Sequence, residues 1–458
     1  MNASETQDIL WATGSAAPVI GEPTVSNYEE TYIDPTDFTP QQYAILAVLA
    51  VPFVLSFHPR SVLRRFLYFL PLALLLKAWL MPGRTSWDYQ FGLLLTSWTL
   101  RVVDRLYLND PEKTFLRNGI DSAKPGMGPE TYDPISKFIW GLELITVTRG
   151  IGWNWQVSSI PEHKVVEKKA FLRMKLRKAV LTYLGLHVSV WTSKFLLALG
   201  ESPLVETAAG PVLVPAALRD VLLSTVALHV FMYVSWAFMV YASLSLPENL
   251  FALFFVGLGV GGTWSQPEMW PSVFGPLSEG YSFRRTWGKW WHQNMRRTCG
   301  TLGAFIVRST PALRTPSTKT AVYTRRYLQV FCVFLMSGII HAGGSIYMAT
   351  RDGTFNDGGN VSGFMYQAAI MVLEDAVCWY LGIADDGNPT MLRRCIGFAI
   401  MHGYAMYGVP QLKVMKLARD HGLDAAGGKY MIGVKMAGMG SQGIINNPFT
   451  TLIGTLNN

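Results

Sequence analysis

Long apolar runs separated by polar segments dominate the 458-residue chain. A helix crosses the hydrocarbon core of a bilayer with about 20 predominantly apolar residues. By this measure the chain has eight predicted spans, at 42–58, 66–82, 89–108, 179–199, 217–245, 328–349, 364–384 and 395–412. Residues 249–262 are apolar and glycine-rich but too short to cross comfortably, so the pattern predicts a re-entrant or buried segment there. The predicted fold is an all-α polytopic membrane protein with eight or nine transmembrane helices and cytosolic amphipathic helices.

The composition supports this prediction. Half of the residues are apolar and 15% are charged, whereas a soluble domain carries about 25% charged residues. The expected partner is therefore the lipid bilayer, and no nucleic-acid partner is expected. A single domain is predicted over 41–458.

The charge distribution predicts the orientation of the chain in the membrane. Residues 1–40 contain seven acidic residues and no Lys or Arg, which predicts a flexible arm on the lumenal side. Loop 109–178 has 12 Lys and Arg against 8 acidic residues, and loop 263–327 has 10 against 2, so both are predicted to face the cytosol. Loop 350–363 is then lumenal, and its sequon at Asn360 is a candidate glycan acceptor. The endoplasmic reticulum is the expected location.

The stretch 282–300, SFRRTWGKWWHQNMRRTCG, has the composition of a site at a membrane surface. As a single helix with 100° per residue it would have two faces. The aromatic face would carry Phe283, Trp287, Trp290 and Asn294, and the cationic face Arg285, Lys289, His292 and Arg296. Indole rings prefer the membrane interface, and the cations on the other face would bind an anionic ligand. A histidine among these cations is suited to proton transfer.

His341 is an ionisable residue inside a predicted span, where such groups usually have a function. Small residues lie one turn before and after it, namely Ser337, Gly338, Gly344 and Ser345. This pattern predicts a groove beside the imidazole and favours a catalytic role for His341.

Glu374 and Asp375 follow in the next predicted span. Either they orient His341 or the substrate, or they pair with Arg or Lys of a neighbouring helix. The sequence leaves both possibilities open. The other intramembrane histidines, at positions 187, 229 and 402, are more typical of a packed core.

Missing motifs exclude several chemistries. The chain has no HExxH or HxxxH pair, so no metal site is predicted, and no GxSxG nucleophile turn. What remains suits acyl transfer from a polyanionic carrier such as coenzyme A to an apolar alcohol. His341 would take the hydroxyl proton as the oxygen attacks the thioester, and the cationic face would hold the carrier phosphates.

Two of these sequence motifs resemble those of a known protein family. The segment TWGKWWHQNMRR is similar to the signature of the wax-synthase-like branch of the membrane-bound O-acyltransferases, and SGIIHAGG to its intramembrane histidine motif. The resemblance covers roughly 240–420 well, and the length and pattern look most like fungal enzymes that acetylate terpenoid and meroterpenoid alcohols in secondary metabolism. It implies acetyl-CoA as the acyl donor, His341 as general base and His292 as the second motif residue, a position where many relatives have Asn.

The resemblance also has departures and alternatives. Lys289 and Trp290 replace a usual pair of arginines, and Ala342 replaces a frequent glutamate. The predicted carrier-binding residues are Arg285, Lys289, Arg296 and Trp291. A long-chain wax or sterol ester synthase is the alternative within the enzyme class, and a membrane transporter is the alternative outside it.

Overall fold

The computed structural model describes residues 38–81, 88–121, 128–160, 167–207, 210–349, 359–383 and 389–420, and these are mostly helical. The predicted arm 1–40 lies almost entirely outside the described residues. Those from Pro40 onward belong to one compact unit. The α-helices are α1 (Pro40–Ser56), α2 (Val62–Leu67), α3 (Leu70–Leu80), α4 (Asp88–Val102), α5 (Pro111–Thr114), α6 (Pro134–Thr146), α7 (Lys168–Glu201), α8 (Ala216–Leu222), α9 (Thr225–Leu258), α10 (Phe283–Arg285), α11 (Arg296–Ser309), α12 (Pro311–Arg314), α13 (Lys319–Ala349), α14 (Asn360–Tyr380) and α15 (Met391–Asp420).

Short elements complete the fold. Two π-helical turns occur, at Val103–Tyr107 and Thr286–Trp290. The 3₁₀ turns are Pro129–Thr131, Gly262–Ser265, Pro267–Met269 and Leu277–Glu279. An antiparallel hairpin pairs β1 (Leu204–Thr207) with β2 (Gly210–Leu213) and places Leu204 opposite Leu213. Apart from this hairpin, the predicted all-helical fold is confirmed.

Three helical stretches of the described residues are long and apolar enough to cross a bilayer, namely Val226–Leu258, Lys319–Tyr347 and Asn360–Tyr380. The apolar helix α1, at 17 residues, is shorter. The span predicted at 66–82 is instead two pieces, because the chain leaves the helix between Leu67 and Leu70.

The re-entrant segment predicted at 249–262 is wrong, because its first ten residues extend α9 to Leu258. Pro247 lies inside this helix without ending it. The helix ends at Gly259, whose φ of 70° is the left-handed conformation that favours glycine. The extension is held by packing against α7, since Ala252 and Val256 are buried with Phe171.

Helix α13 packs between α4 and α14, and glycine residues lie at both contacts. A Cβ atom on Gly92 of α4 would lie 2.6 Å from the carbonyl oxygen of Gly343 on α13. On the other side, a Cβ atom on Gly338 would lie 2.9 Å from Cα of Val361 on α14. Small residues allow membrane helices to approach this closely. The groove predicted from the small residues around His341 is therefore wrong at these glycines, because neighbouring helices fill the space.

The loops predicted to be cytosolic fold against each other. Helix α6 begins at Pro134, where the Asp133 carboxylate accepts hydrogen bonds from the N–H groups of Ile135 and Ser136. Arg149, which follows this helix, donates to the carbonyl oxygens of Pro271 and Ser272, each at 2.8 Å. The loops 109–178 and 263–327 thus contact each other through Arg149.

Candidate active site

Residues 282–300 do not form the single helix predicted from the sequence. The chain runs through α10 and the π-helical turn 286–290, turns extended at Trp291, and enters α11 at Arg296. The Gln293 amide stabilises this break, because its Nε2 donates to the carbonyl oxygens of Trp287 at 3.2 Å and Trp291 at 2.6 Å. Aromatic and cationic side chains therefore do not occupy opposite faces of one helix.

Two of the predicted carrier-binding cations have an acidic partner a few residues earlier in the chain. Arg285 is buried, and its Nη1 lies 3.2 Å from Oε2 of Glu279. Its Nε also donates to the hydroxyl of Tyr281. Lys289 lies 3.8 Å from the same glutamate oxygen. The structure thus pairs Arg285 and Lys289 with Glu279. The third predicted cation, Arg296, donates instead to neutral acceptors, the carbonyl oxygen of Gly288 and Oε1 of Gln293.

Glu374 and Asp375 hold this segment on α14. The Glu374 carboxylate accepts hydrogen bonds from the backbone N–H groups of Phe283, at 3.0 Å, and Arg284, at 3.1 Å. Asp375 forms an ion pair with the Arg284 guanidinium and accepts from the Tyr327 hydroxyl.

These carboxylates lie far from His341 along α14. Phe364 of α14 contacts His341, and it lies ten positions before Glu374, about 15 Å away along a helix axis. The geometry therefore does not support the predicted role of the two carboxylates in orienting His341. The sequence left two possibilities open for these carboxylates. Asp375 follows the second, because it pairs with a basic residue. Glu374 follows neither and instead caps a backbone turn.

His341 lies half-buried on α13 between α4 and α14. Its Nδ1 is 3.1 Å from the hydroxyl oxygen of Tyr89, at the start of α4. Its ring stacks on Phe364, with centroids 4.8 Å apart and planes inclined by 21°. Sequence reasoning missed Tyr89, because no local pattern links it to a histidine 252 positions away.

The small polar residues around His341 belong to the packing of α13. Ser337 is half-buried one turn before the histidine. Ser345, one turn after it, accepts a 2.8 Å hydrogen bond from Nδ2 of Asn360. Asn360 is only 4% exposed, and Nδ2 is the atom to which a glycan would be attached. Attachment of a glycan at Asn360 would therefore require this hydrogen bond to break and the side chain to become exposed.

His292 lies in the extended stretch that follows the π-helical turn. Its ring contacts the rings of Phe274 and Trp291, both with centroids 5.7 Å away. Burial, with a smaller contribution from the charge of Arg149, lowers the pKa of His292 to about 4. The imidazole is therefore neutral near pH 7. Its Nδ1 is buried and makes no hydrogen bond within the described part of the chain.

Aromatic rings connect the two histidines. Phe364, stacked on His341, lies 6.2 Å from Trp287, which lies 6.0 Å from Trp291 beside His292. Trp291 in turn stacks on Trp236 of α9, with centroids 5.9 Å apart. His341 and His292 contact different residues in the described part of the chain. A substrate that contacts both histidines would therefore lie along this row of aromatic rings.

Comparison with known proteins assigns the chain to a family. A profile of the Membrane bound O-acyl transferase family matches residues 270–365, which contain both His292 and His341. The chain is 33% identical to O-Mevalon transferase yanI of Aspergillus niger, over 86% of this chain and 88% of the relative. The chain belongs to the membrane-bound O-acyltransferase family. It is also 33% identical to O-Mevalon transferase macI of Penicillium terrestre, over 78% of this chain and 80% of the relative.

A third relative of this O-acyltransferase is an acetyltransferase of Arthrobotrys oligospora, 29% identical over 81% of this chain and 80% of that protein. The predicted resemblance to fungal acetyltransferases and the prediction of a membrane O-acyltransferase enzyme are confirmed. No solved structure matches the chain.

Proposed function

We propose that this O-acyltransferase transfers an acetyl group from acetyl-CoA to a hydroxyl group of a hydrophobic terpenoid or meroterpenoid alcohol in secondary-metabolite biosynthesis. The observation that carries the proposal is the placement of His341 on an apolar helix, with Nδ1 next to the Tyr89 hydroxyl, inside the segment matched by the family profile. The fungal relatives named acetyltransferase support the acyl group.

The Tyr89 contact supports His341 as the general base. When Nδ1–H donates to the Tyr89 oxygen, the lone pair of the neutral imidazole is on Nε2, and this is the atom that accepts the alcohol proton. As Nε2 takes this proton, the alcohol oxygen attacks the thioester carbonyl carbon. The C–S bond then breaks, the ester forms, and the proton on Nε2 passes to the leaving thiolate of coenzyme A. Tyr89 would stabilise the imidazolium that exists between these two proton transfers.

His292 suits a different role. A histidine with a pKa of about 4 is a poor base at cytosolic pH but remains a hydrogen-bond donor. In the proposed reaction it donates to the thioester oxygen, on which negative charge develops during the attack. Asn, the residue that the family resemblance implies at this position, has the same capacity to donate.

A mevalonyl group is the second candidate for the acyl moiety, because two relatives at 33% identity are named O-Mevalon transferases. A mevalonyl chain carries hydroxyl groups, which need hydrogen-bond partners when they are buried. In the described residues Trp287 Nε1 and Thr286 Oγ1 are buried without a hydrogen-bond partner. Trp287 also contacts Phe364, the residue stacked on His341.

An acyl-donor panel tests these proposals. Microsomes containing the protein are incubated with a terpenoid alcohol panel and labelled acetyl-CoA, mevalonyl-CoA or palmitoyl-CoA, and the esters are separated and counted. Ester formation from acetyl-CoA is the expected result. Preference for mevalonyl-CoA would select the second candidate, and preference for palmitoyl-CoA would select the long-chain ester synthase. Microsomes lacking the protein are the control.

We also propose a multi-pass arrangement in the endoplasmic reticulum membrane, with eight or nine spans and the amino-terminal arm in the lumen. The contacts between loops 109–178 and 263–327 support their placement on the same side. A tag at Met1 should resist protease in sealed microsomes and be digested only after detergent is added. Digestion without detergent would overturn this orientation.

A further inference from the structure

A cationic cleft lies beside the loop that carries His292. It has a volume of about 300 Å³ and opens between α11 and the segment that precedes α7. Arg296, Arg297 and Arg308 line it from the α11 side, and Trp155 and Ser158 from the other. Asp104 is the acidic residue in its lining, so three guanidinium groups and one carboxylate leave an excess of positive charge.

The carboxylate in this cleft is already satisfied. Oδ2 of Asp104 accepts from Arg297 Nε and from Arg105 Nη1, each at 2.8 Å, and Oδ1 accepts from Arg297 Nη2 at 3.1 Å. Asp104 is 1% exposed, so this network forms the floor of the cleft. A fixed floor of this kind holds Arg297 in place and leaves Arg296 and Arg308 as the cations that face an incoming ligand.

Arg296 and Arg308 keep their charge available. Arg296 is exposed and donates to two neutral acceptors, the carbonyl oxygen of Gly288 at 3.0 Å and Oε1 of Gln293 at 2.8 Å. Arg308 is exposed and has no acidic partner within the described residues. Two such guanidinium groups, three helical turns apart on α11, match a ligand with more than one phosphate group.

Trp155 contributes a hydrogen-bond donor to the same cleft. Its ring lies 4.6 Å from the Arg105 guanidinium and 5.2 Å from that of Arg297. Its Nε1 is buried and has no hydrogen-bond partner in the described part of the chain. A buried N–H group normally has an acceptor, and an oxygen atom of a ligand in the cleft would supply one here.

We propose that this cleft binds the phosphate groups of the nucleotide part of the acyl-CoA donor. This inference rests on the proposed function, which supplies the donor. Arg285 and Lys289 are less suited to the task because both are paired with Glu279. Arg296 links the cleft to the loop that carries His292, because it donates a hydrogen bond to Gln293, the residue that directly follows His292. A donor bound by its phosphates here has its thioester directed towards His292.

Direct binding to purified protein tests the cleft without any need for turnover. The protein is reconstituted in nanodiscs of phosphatidylcholine, and the Kd values for coenzyme A and for adenosine 3′,5′-bisphosphate are measured by titration. Arg308→Gln should raise both Kd values about tenfold or more, because a charge-assisted contact is lost. Arg314→Gln is the matched control: Arg314 is also exposed but does not line the cleft. It should leave both Kd values unchanged.

A second variant tests the orphaned donor. Trp155→Phe keeps a ring next to the arginines and removes the indole N–H, so Kd for coenzyme A should rise about fivefold, the effect of one neutral hydrogen bond. Unchanged Kd values in both Arg308→Gln and Trp155→Phe, with normal binding by the wild-type protein, would overturn the cleft assignment alone. Wild-type protein that binds neither probe would overturn the donor in the proposed function.

Lipid phosphates are the other source of the same chemistry, and nanodiscs containing phosphatidylserine distinguish it. If the cleft serves the donor, Arg308→Gln weakens coenzyme A binding equally in neutral and in anionic nanodiscs. If the cleft binds headgroups, the wild-type Kd for coenzyme A rises in anionic nanodiscs through competition. Arg308→Gln then alters only this lipid dependence, which would overturn the proposal.

Discussion

The hydroxyl of Tyr89 lies 3.1 Å from Nδ1 of His341, although the two residues are 252 positions apart in the chain. The contact forms because α4 and α13 approach each other closely at Gly92, Gly343 and Gly344. A histidine held at one ring nitrogen presents the other in a fixed direction, and this is the arrangement that a general base requires.

The first prediction concerns Tyr89→Phe. This change keeps the ring and removes the acceptor for the imidazolium, so kcat should fall about tenfold to a hundredfold, the range for a hydrogen bond to a charged group. KM for acyl-CoA should stay within about twofold, because in our proposal the tyrosine does not contact the donor. A large rise in KM with unchanged kcat would contradict the role of Tyr89 in positioning His341.

The second prediction concerns His341→Ala. General-base catalysis typically contributes 10²–10⁴-fold, so turnover should fall by about this factor while insertion into the membrane and binding of coenzyme A persist. His187→Ala is the control, since His187 is exposed on α7 beside Tyr183. Near-normal turnover by a well-folded His341→Ala protein would refute the mechanism.

The third prediction compares two changes at His292. His292→Asn keeps a hydrogen-bond donor, whereas His292→Ala removes it. In the proposed reaction, loss of an oxyanion donor costs about 10²–10³-fold in kcat, so the alanine variant should be far slower than the asparagine variant. Equal kcat values for the two variants would show that the donor at this position does not contribute to the reaction.

The fourth prediction concerns pH and the same residue. The pKa of His292 in the folded protein, about 4, lies below the ordinary value of 6.5, so between these values the unfolded chain binds more protons than the folded one. Stability from this group is therefore present above pH 6.5 and is lost as the pH falls towards 4. The thermal unfolding temperature of the wild-type protein should drop more across this interval than that of His292→Asn. Parallel curves for the two proteins would contradict the lowered pKa.

The fifth prediction concerns the hydrogen bonds by which Glu374 holds the segment 282–300 on α14. Glu374→Gln replaces one of the two carboxylate oxygens that accept from Phe283 and Arg284 with an amide that cannot accept. Loss of this acceptor should cost about 1–3 kcal/mol of stability, visible as a lower unfolding temperature. Glu130→Gln, at an exposed position, should leave the unfolding temperature unchanged. A Glu374→Gln protein as stable as the wild type would argue against this anchoring role.

Hydropathy predicted the helices well because a long apolar run has few alternatives to a helix in a membrane. It failed at 249–258, where the short, glycine-rich run suggested a separate segment but the packing of Ala252 and Val256 on α7 extends the helix. Glycines near His341 were ambiguous for a similar reason. The absence of a side chain leaves room either for a ligand or for a neighbouring helix, and only the tertiary structure shows that helices occupy it.

The candidate site was predictable only where the chemistry is local. His341 and His292 are recognisable from their immediate sequence, but the break in the helix that positions His292 depends on how Gln293 bonds to two backbone carbonyl groups. Helical periodicity alone would continue through it. Likewise, the ion pair of Arg285 with Glu279 depends on the fold of the intervening turn, so the sequence overstated its availability for a ligand.

The segment 282–300, which carries His292, is fastened at both ends to the helices that flank His341. Its beginning is bound by Glu374 and Asp375 on α14, and its end by Arg297, which pairs with Asp104 next to α4. The same two helices supply Phe364 and Tyr89 to His341. The spacing of the two histidines is thus set by three packed helices and not by the length of the connections between them. A change in the length of the connection at 310–318 should therefore have little effect on the distance between His292 and His341.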